Sequence, residues 1–139
     1  MSARNSLRNV QKSMFQNKMT YRDRNLLDLA QGQECLLNIS QRCAGDEGST
    51  TVACHDNSLQ SGKGMGLKAD DSYSVWGCHA CHFLLDQGNI EYEHKQSYFK
   101  EAYTRQIDEW LKIAQNPCLK PWRVDAARQV LDHIGVPYE

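Results

Sequence analysis

The sequence predicts an α+β fold in which a small ββα unit, stapled by a metal ion, sits between helices. Three observations lead there. Two short stretches, Thr50–His55 and Ser72–Gly77, are rich in β-branched or alternating residues and bracket a segment of glycine and lysine. A Cys-x-x-Cys pair, Cys78 and Cys81, follows the second stretch and opens a short helical pattern. The last third of the chain carries two apolar patterns with a helical period.

Length and composition are consistent with this. A chain of 139 residues suits one domain. Its 40% hydrophobic and 24% charged residues are ordinary for a globular protein, and a core of this size benefits from a staple. No run approaches the roughly 18 apolar residues of a membrane span. The first residues, MSARNSLRNVQKSMFQNKMTYRDR, lack the apolar centre of an export signal, so a cytoplasmic location with reduced thiols is expected. Six cysteines in a reducing compartment point to metal rather than disulfides.

Charge is uneven. The net charge is -1, yet the first 24 residues hold six of the sixteen lysines and arginines against one acid, Asp23. Residues 1–20 read as a basic arm and residues 21–139 as a single domain. Such an arm either touches phosphates, through Coulomb attraction and counterion release, or is simply a solvated tail.

The elements follow in order. Tyr21–Gln33 has Leu26, Leu27 and Ala30 at helical spacing, with Gly32 as a stop. Cys35 and Cys43 flank turn-forming residues. Thr50–His55 reads as a strand. Asp56–Asp71 is a loop, and a loop that long inside a compact domain usually serves a function or is disordered. Ser72–Gly77 reads as a second strand, and Cys78–Gly88 as a helix closed by its glycine. From Gln96 to Ala114 the residues Phe99, Tyr103, Ile107, Trp110, Leu111 and Ala114 share one helical face. A final helix after Pro121 has Val124, Ala127, Val130, Leu131 and Ile134 apolar. Trp76 is expected to pack strand on helix, Trp110 and Trp122 to join the helical layer, and Tyr98 and Tyr103 to lie in the core. His94 and His133 are most simply structural.

Zinc requires four soft or borderline ligands in a tetrahedron, and close pairs supply them by closing small loops. Cys78 and Cys81 form one pair; Cys35 and Cys43 provide the other across a turn. Cys118, between two prolines, reads as a bystander. Cys54 reads as a buried thiol and a replacement ligand should Cys43 fail.

The histidines suggest chemistry. His55 ends the first strand and His82 follows the cysteine pair, with Asp56, Asn57, Asp70 and Asp71 between them. An imidazole with a near-neutral pKa can take a proton from water. A second imidazole with an amide or carboxylate can hold Mg²⁺ or another divalent ion against a phosphate. Lys63 and Lys68 can reach DNA phosphates, and Gly62, Gly64 and Gly66 let the backbone come close. His79 reads as exposed or as a supporting donor.

The string TVACHDN…GKGMGLKADDSYSVWGCHACH resembles the ββα-metal core of HNH (His-Me finger) endonucleases. More narrowly, it is similar to the YbcO-like nucleases of phages and prophages. Their pattern is a cysteine-containing segment, a strand ending in His, a G-K-G-x-x-x-K-type loop, an Asp, and a strand running into C-x-x-C-H. The resemblance covers roughly residues 28–110. It implies a metal-dependent DNA endonuclease with His55 as general base, His82 as a ligand of the catalytic ion, and Cys35, Cys43, Cys78 and Cys81 around a structural zinc. Asp71 matches the family's acidic position, with Asn57 as the alternative. Many HNH sites carry Asp before the first His, where this chain has Cys54. DNA is the implied partner, with phage or host recombination proteins beside it, in the cytoplasm of the host cell.

Three other readings compete with this one. A non-catalytic zinc module that binds nucleic acid or protein would use the same cysteines, arm and loop, leaving the histidines structural. The C-x-x-C-H spacing of c-type haem attachment leaves Cys35, Cys43, His55 and the glycine-lysine loop unexplained. A thioredoxin-like role lacks the surrounding βαβ pattern.

Overall fold

The computed structural model describes residues 20–56 and 70–139. The basic arm, Asn57, and the loop carrying Lys63 and Lys68 therefore lie outside the described residues.

Helix α1, Arg24–Asp28, is a single turn and a half, shorter than the 21–33 span expected. Asp23 caps it, its side chain accepting the amide of Asn25 at 3.0 Å. The apolar spacing places Leu26, Leu29 and Ala30 in the core, and Gly32 ends the segment at φ +78°. An irregular stretch then brings Cys35 and Leu36 to the sheet. The Cys35 amide donates to Gly45 O, and the Leu36 amide to Trp76 O, each at 2.8 Å.

Strands β1, Val52–His55, and β2, Ser74–Gly77, pair antiparallel. Val52 faces Gly77 and His55 faces Ser74. Every residue of β2 is buried. The strand cannot satisfy all its backbone through so small a sheet. The Trp76 amide instead donates to the side-chain oxygen of Gln106, a wholly buried residue, at 2.8 Å. Gly77 is dictated by contact: a Cβ there would sit 2.6 Å from Leu37 Cδ1 and 2.7 Å from Cys54 Sγ.

Helix α2, His79–Gln87, follows directly from β2. Gly88 ends it at φ -71°, not in the left-handed conformation that a closing glycine suggests. Its reason is space, since a Cβ there would collide with Leu84 O. Helix α3, Tyr92–Ala114, begins four residues before the periodic pattern does. Phe99, Tyr103, Ile107, Trp110 and Ala114 are buried as expected, but Tyr98 is exposed, off the apolar face. The Tyr103 hydroxyl donates to Ser72 O at 2.6 Å, fixing the approach to β2. Arg105 lays its guanidinium on Leu36 O at 2.6 and 3.1 Å.

Helix α4, Pro121–Ile134, starts with its proline in the first turn, where the missing amide hydrogen costs nothing. It ends at Gly135 with φ +78°. It packs on both α3 and α1, closing one hydrophobic cluster that runs from Leu26 to Val136. Trp76 and Trp110 lie inside it and Trp122 against it. Among the described residues no helix is long and apolar enough to cross a membrane.

Gly77→Ala is expected to destabilise the fold by about 1–3 kcal/mol through overpacking. Urea unfolding monitored by tryptophan fluorescence measures it, and an unchanged midpoint would contradict the crowding at Gly77.

Candidate metal centre and histidine pairs

The sulfurs of Cys35, Cys43, Cys78 and Cys81 all lie within 4.8 Å of one another. Local structure explains how. Cys78 is the N-cap of α2 and Cys81 falls in its first turn, so the x-x spacing turns both sulfurs to one side. The Cys35–Cys43 loop folds back over them, with Asn38 at φ +48° and Gly45 at φ +61° making the reversals.

The donor set fits zinc. A tetrahedral ion with Zn–S of about 2.3 Å needs sulfurs about 3.8 Å apart, a separation that a cluster spanning no more than 4.8 Å admits. Backbone amides converge on the sulfurs, as thiolate charge requires. Ile39 donates to Cys81 Sγ, Ala44 to Cys78 Sγ and Gly45 to Cys43 Sγ, each at 3.4 Å. Burial pushes the Cys81 and Cys35 thiols up. Burial also raises Cys78, but the amides of Ala44 and Cys81 and the neighbouring Cys81 and Cys35 outweigh it and bring that thiol down to about 7. Four sulfurs this close, three of them buried and that of Cys43 half-buried, cannot all carry charge without a cation between them, and a divalent metal would supply it.

Cys54 and Cys118 fall outside the cluster. Cys118 is exposed. Cys54 is a buried thiol lying against Val52 O and Gly77 O, and burial, followed by the charge of Cys35, holds it firmly protonated.

The structure brings the histidines to carboxylates. His55 Nε2 lies 2.9 Å from Asp71 Oδ1. Asp71 is 3% exposed, and its carboxylate is well supplied with partners, as a buried charge must be. Its Oδ2 accepts the Asp23 amide at 2.9 Å and lies 4.0 Å from Arg22 Nε. Asp70, beside it, accepts the Tyr21 amide at 3.0 Å and the amide and hydroxyl of Ser72. His82 Nε2 lies 3.1 Å from Asp86 Oδ2, one turn further along α2. His79 is exposed, and its amide donates to Thr50 Oγ1 at 3.1 Å. His94 and His133 stack near Tyr98 and Tyr21.

Sequence reasoning passed over two residues. Asp86 carries a legible signal, four residues after His82 in a helix. Asp56, in the sequence simply one of the acids between the histidines, is buried and accepts hydrogen bonds from the Gln96 side-chain amide at 3.1 and 3.3 Å, a partner 40 residues away that no local pattern announces.

A family model described as "Putative nuclease YbcO" matches residues 24–115. The chain belongs to this YbcO family. No curated protein and no solved structure matches it significantly. The YbcO segment runs from α1 to just past α3 and contains all four clustered cysteines, His55, Asp71, His82 and Asp86. It leaves out Tyr21–Asp23 and α4. The family description points to nuclease activity, and a four-cysteine cluster within the YbcO segment fits a zinc ion.

The purified chain is expected to hold one zinc ion, measured by mass spectrometry of the metal content. Cys78→Ser or Cys81→Ser should lose the ion and lower Tm, whereas Cys118→Ser should do neither.

Proposed function

We propose that the chain is a metal-dependent DNA endonuclease of the HNH type. The observation that supports this most is the pairing of His55 with the buried Asp71 in a family described as nucleases. The order strand, strand, helix around the cysteine cluster agrees with it.

In this reading Asp71 accepts the Nε2 hydrogen of a neutral His55. The lone pair on Nδ1 is then held ready to take a proton from water as that water attacks phosphorus. Fixing one tautomer and one ring orientation is what a general base needs from its neighbour. Asp71 therefore orients the base. The place expected for it beside the catalytic ion passes to Asp86, because both Asp71 oxygens are already engaged. His82 and Asp86 together offer an imidazole and a carboxylate on one helix face. That set suits a divalent ion that keeps several waters, such as Mg²⁺. Such an ion supplies charge stabilisation at the phosphate and at the leaving oxygen. Asn57 remains a further ligand in the proposal, with Lys63, Lys68 and the basic arm holding the DNA backbone by charge. The zinc is structural.

The competing reading, a zinc module that binds without cutting, predicts retention of DNA with no cleavage under Mg²⁺, Mn²⁺ or Ni²⁺. Plasmid cleavage separates the two. His55→Ala should reduce the rate by roughly 10²-fold or more, the scale of a lost general base, with zinc still bound and a cooperative melt. Asp71→Asn should reduce it less, since the ring remains. Wild-type protein that binds plasmid but leaves it intact with all three ions would sink the nuclease reading.

A further inference from the structure

The YbcO match starts at residue 24, yet the groups that tie down Asp71 lie just before it. Tyr21, Arg22 and Asp23 form an extended strap across Asp70 and Asp71. The Tyr21 amide donates to Asp70 Oδ2 at 3.0 Å, and the Asp71 amide donates to Tyr21 O at 2.9 Å. The Asp23 amide donates to Asp71 Oδ2 at 2.9 Å, the oxygen that His55 does not use. These bonds join residues 48 to 50 positions apart, so they fix Asp71 against a part of the chain remote from its own loop. Arg22 adds little, with its half-exposed guanidinium 4.0 Å away.

The strap is itself anchored. The Tyr21 ring stacks on His133, in the last turn of α4, with centroids 4.5 Å apart and planes at 32°. Burial, together with Asp23, Asp70 and Asp71 around it, keeps the Tyr21 phenol protonated. The anchor, α4, also lies beyond the family-matched segment. A strap outside that segment thus reaches the carboxylate that meets His55, and α4, also outside it, seats the strap.

We propose that Tyr21 is a positioning residue: clamped on His133, it holds the strap that keeps Asp71 in line with His55 and so sets the tautomer of the base. The proposal rests on the reading of His55 as general base. If Tyr21 loses its ring, the strap keeps its amides but not its seat. Asp71 then gains freedom, and the proton of His55 distributes between its two nitrogens. Misplacement of a reacting group by a fraction of its contact distance costs roughly tenfold or more in rate.

The test uses the full chain, labelled with ¹⁵N, as wild type, Tyr21→Phe, Tyr21→Ala and His133→Ala. Long-range ¹H–¹⁵N spectra report the His55 tautomer; zinc content, thermal melting and plasmid cleavage are measured on the same samples. Wild type and Tyr21→Phe, which keeps the ring, should show His55 with its hydrogen on Nε2. Tyr21→Ala and His133→Ala should show a mixture of tautomers and roughly tenfold slower cleavage, with zinc bound and a cooperative melt. A folded Tyr21→Ala or His133→Ala variant with an unchanged His55 signal would overturn the proposal. So would unfolding of both variants, which would make Tyr21 a core residue. Loss of the fixed tautomer in a protein that never cuts DNA would keep the strap and reject the nuclease; cleavage that needs His55 but ignores Tyr21 would do the reverse.

Discussion

Everything in this fold is arranged around the meeting of four sulfurs. The Cys35–Cys43 loop has little regular structure of its own, and among the described residues the sheet it leans on has two strands. The amides of Ile39, Ala44 and Gly45 point at sulfur instead of at carbonyl oxygen. A loop with its donors committed this way needs negative charge on the sulfurs, and that charge needs a cation. A metal held by these sulfurs would do the work that a larger core otherwise does, at the point where β2 turns into α2.

That position matters for the rest of the site. The end of β2 at Gly77 is pressed between Leu37 and Cys54, so the start of α2 has little freedom. The antiparallel register then carries the constraint back along the hairpin to His55, opposite Ser74. Ser74 in turn donates its hydroxyl to Asp71 O at 2.8 Å, closing a path from the cysteine cluster to the His55–Asp71 pair. The same path is braced from α3, through Gln106 on Trp76 and Tyr103 on Ser72. A buried carboxylate with this many partners is costly to assemble, and its place next to a histidine at a strand end suits a histidine that must be held in one state.

The amphipathic stretches were legible because apolar spacing alone decides which face of α3 and α4 is buried. Both strands were legible from β-branched and alternating residues, and the four cysteines from their pairing across turns. Boundaries were less so: α3 gains its first turn from residues with no apolar pattern, and α1 starts late because the chain before it is tied across Asp70 and Asp71. Tyr98 shows the limit of periodicity, since adjacency to Phe99 on the helix puts it a full 100° off the buried stripe.

By itself the sequence determined which side chains are able to bind metal, which are able to move a proton, and which faces must be dry, because those properties belong to residue type and local spacing. Tertiary structure alone decided the partnerships: Asp71 with His55 and the Tyr21–Asp23 strap, Asp56 with Gln96, Tyr21 with His133. Each joins residues brought together by packing of distant elements, and a single chain read in order carries no local signal of which carboxylate will be buried beside which ring.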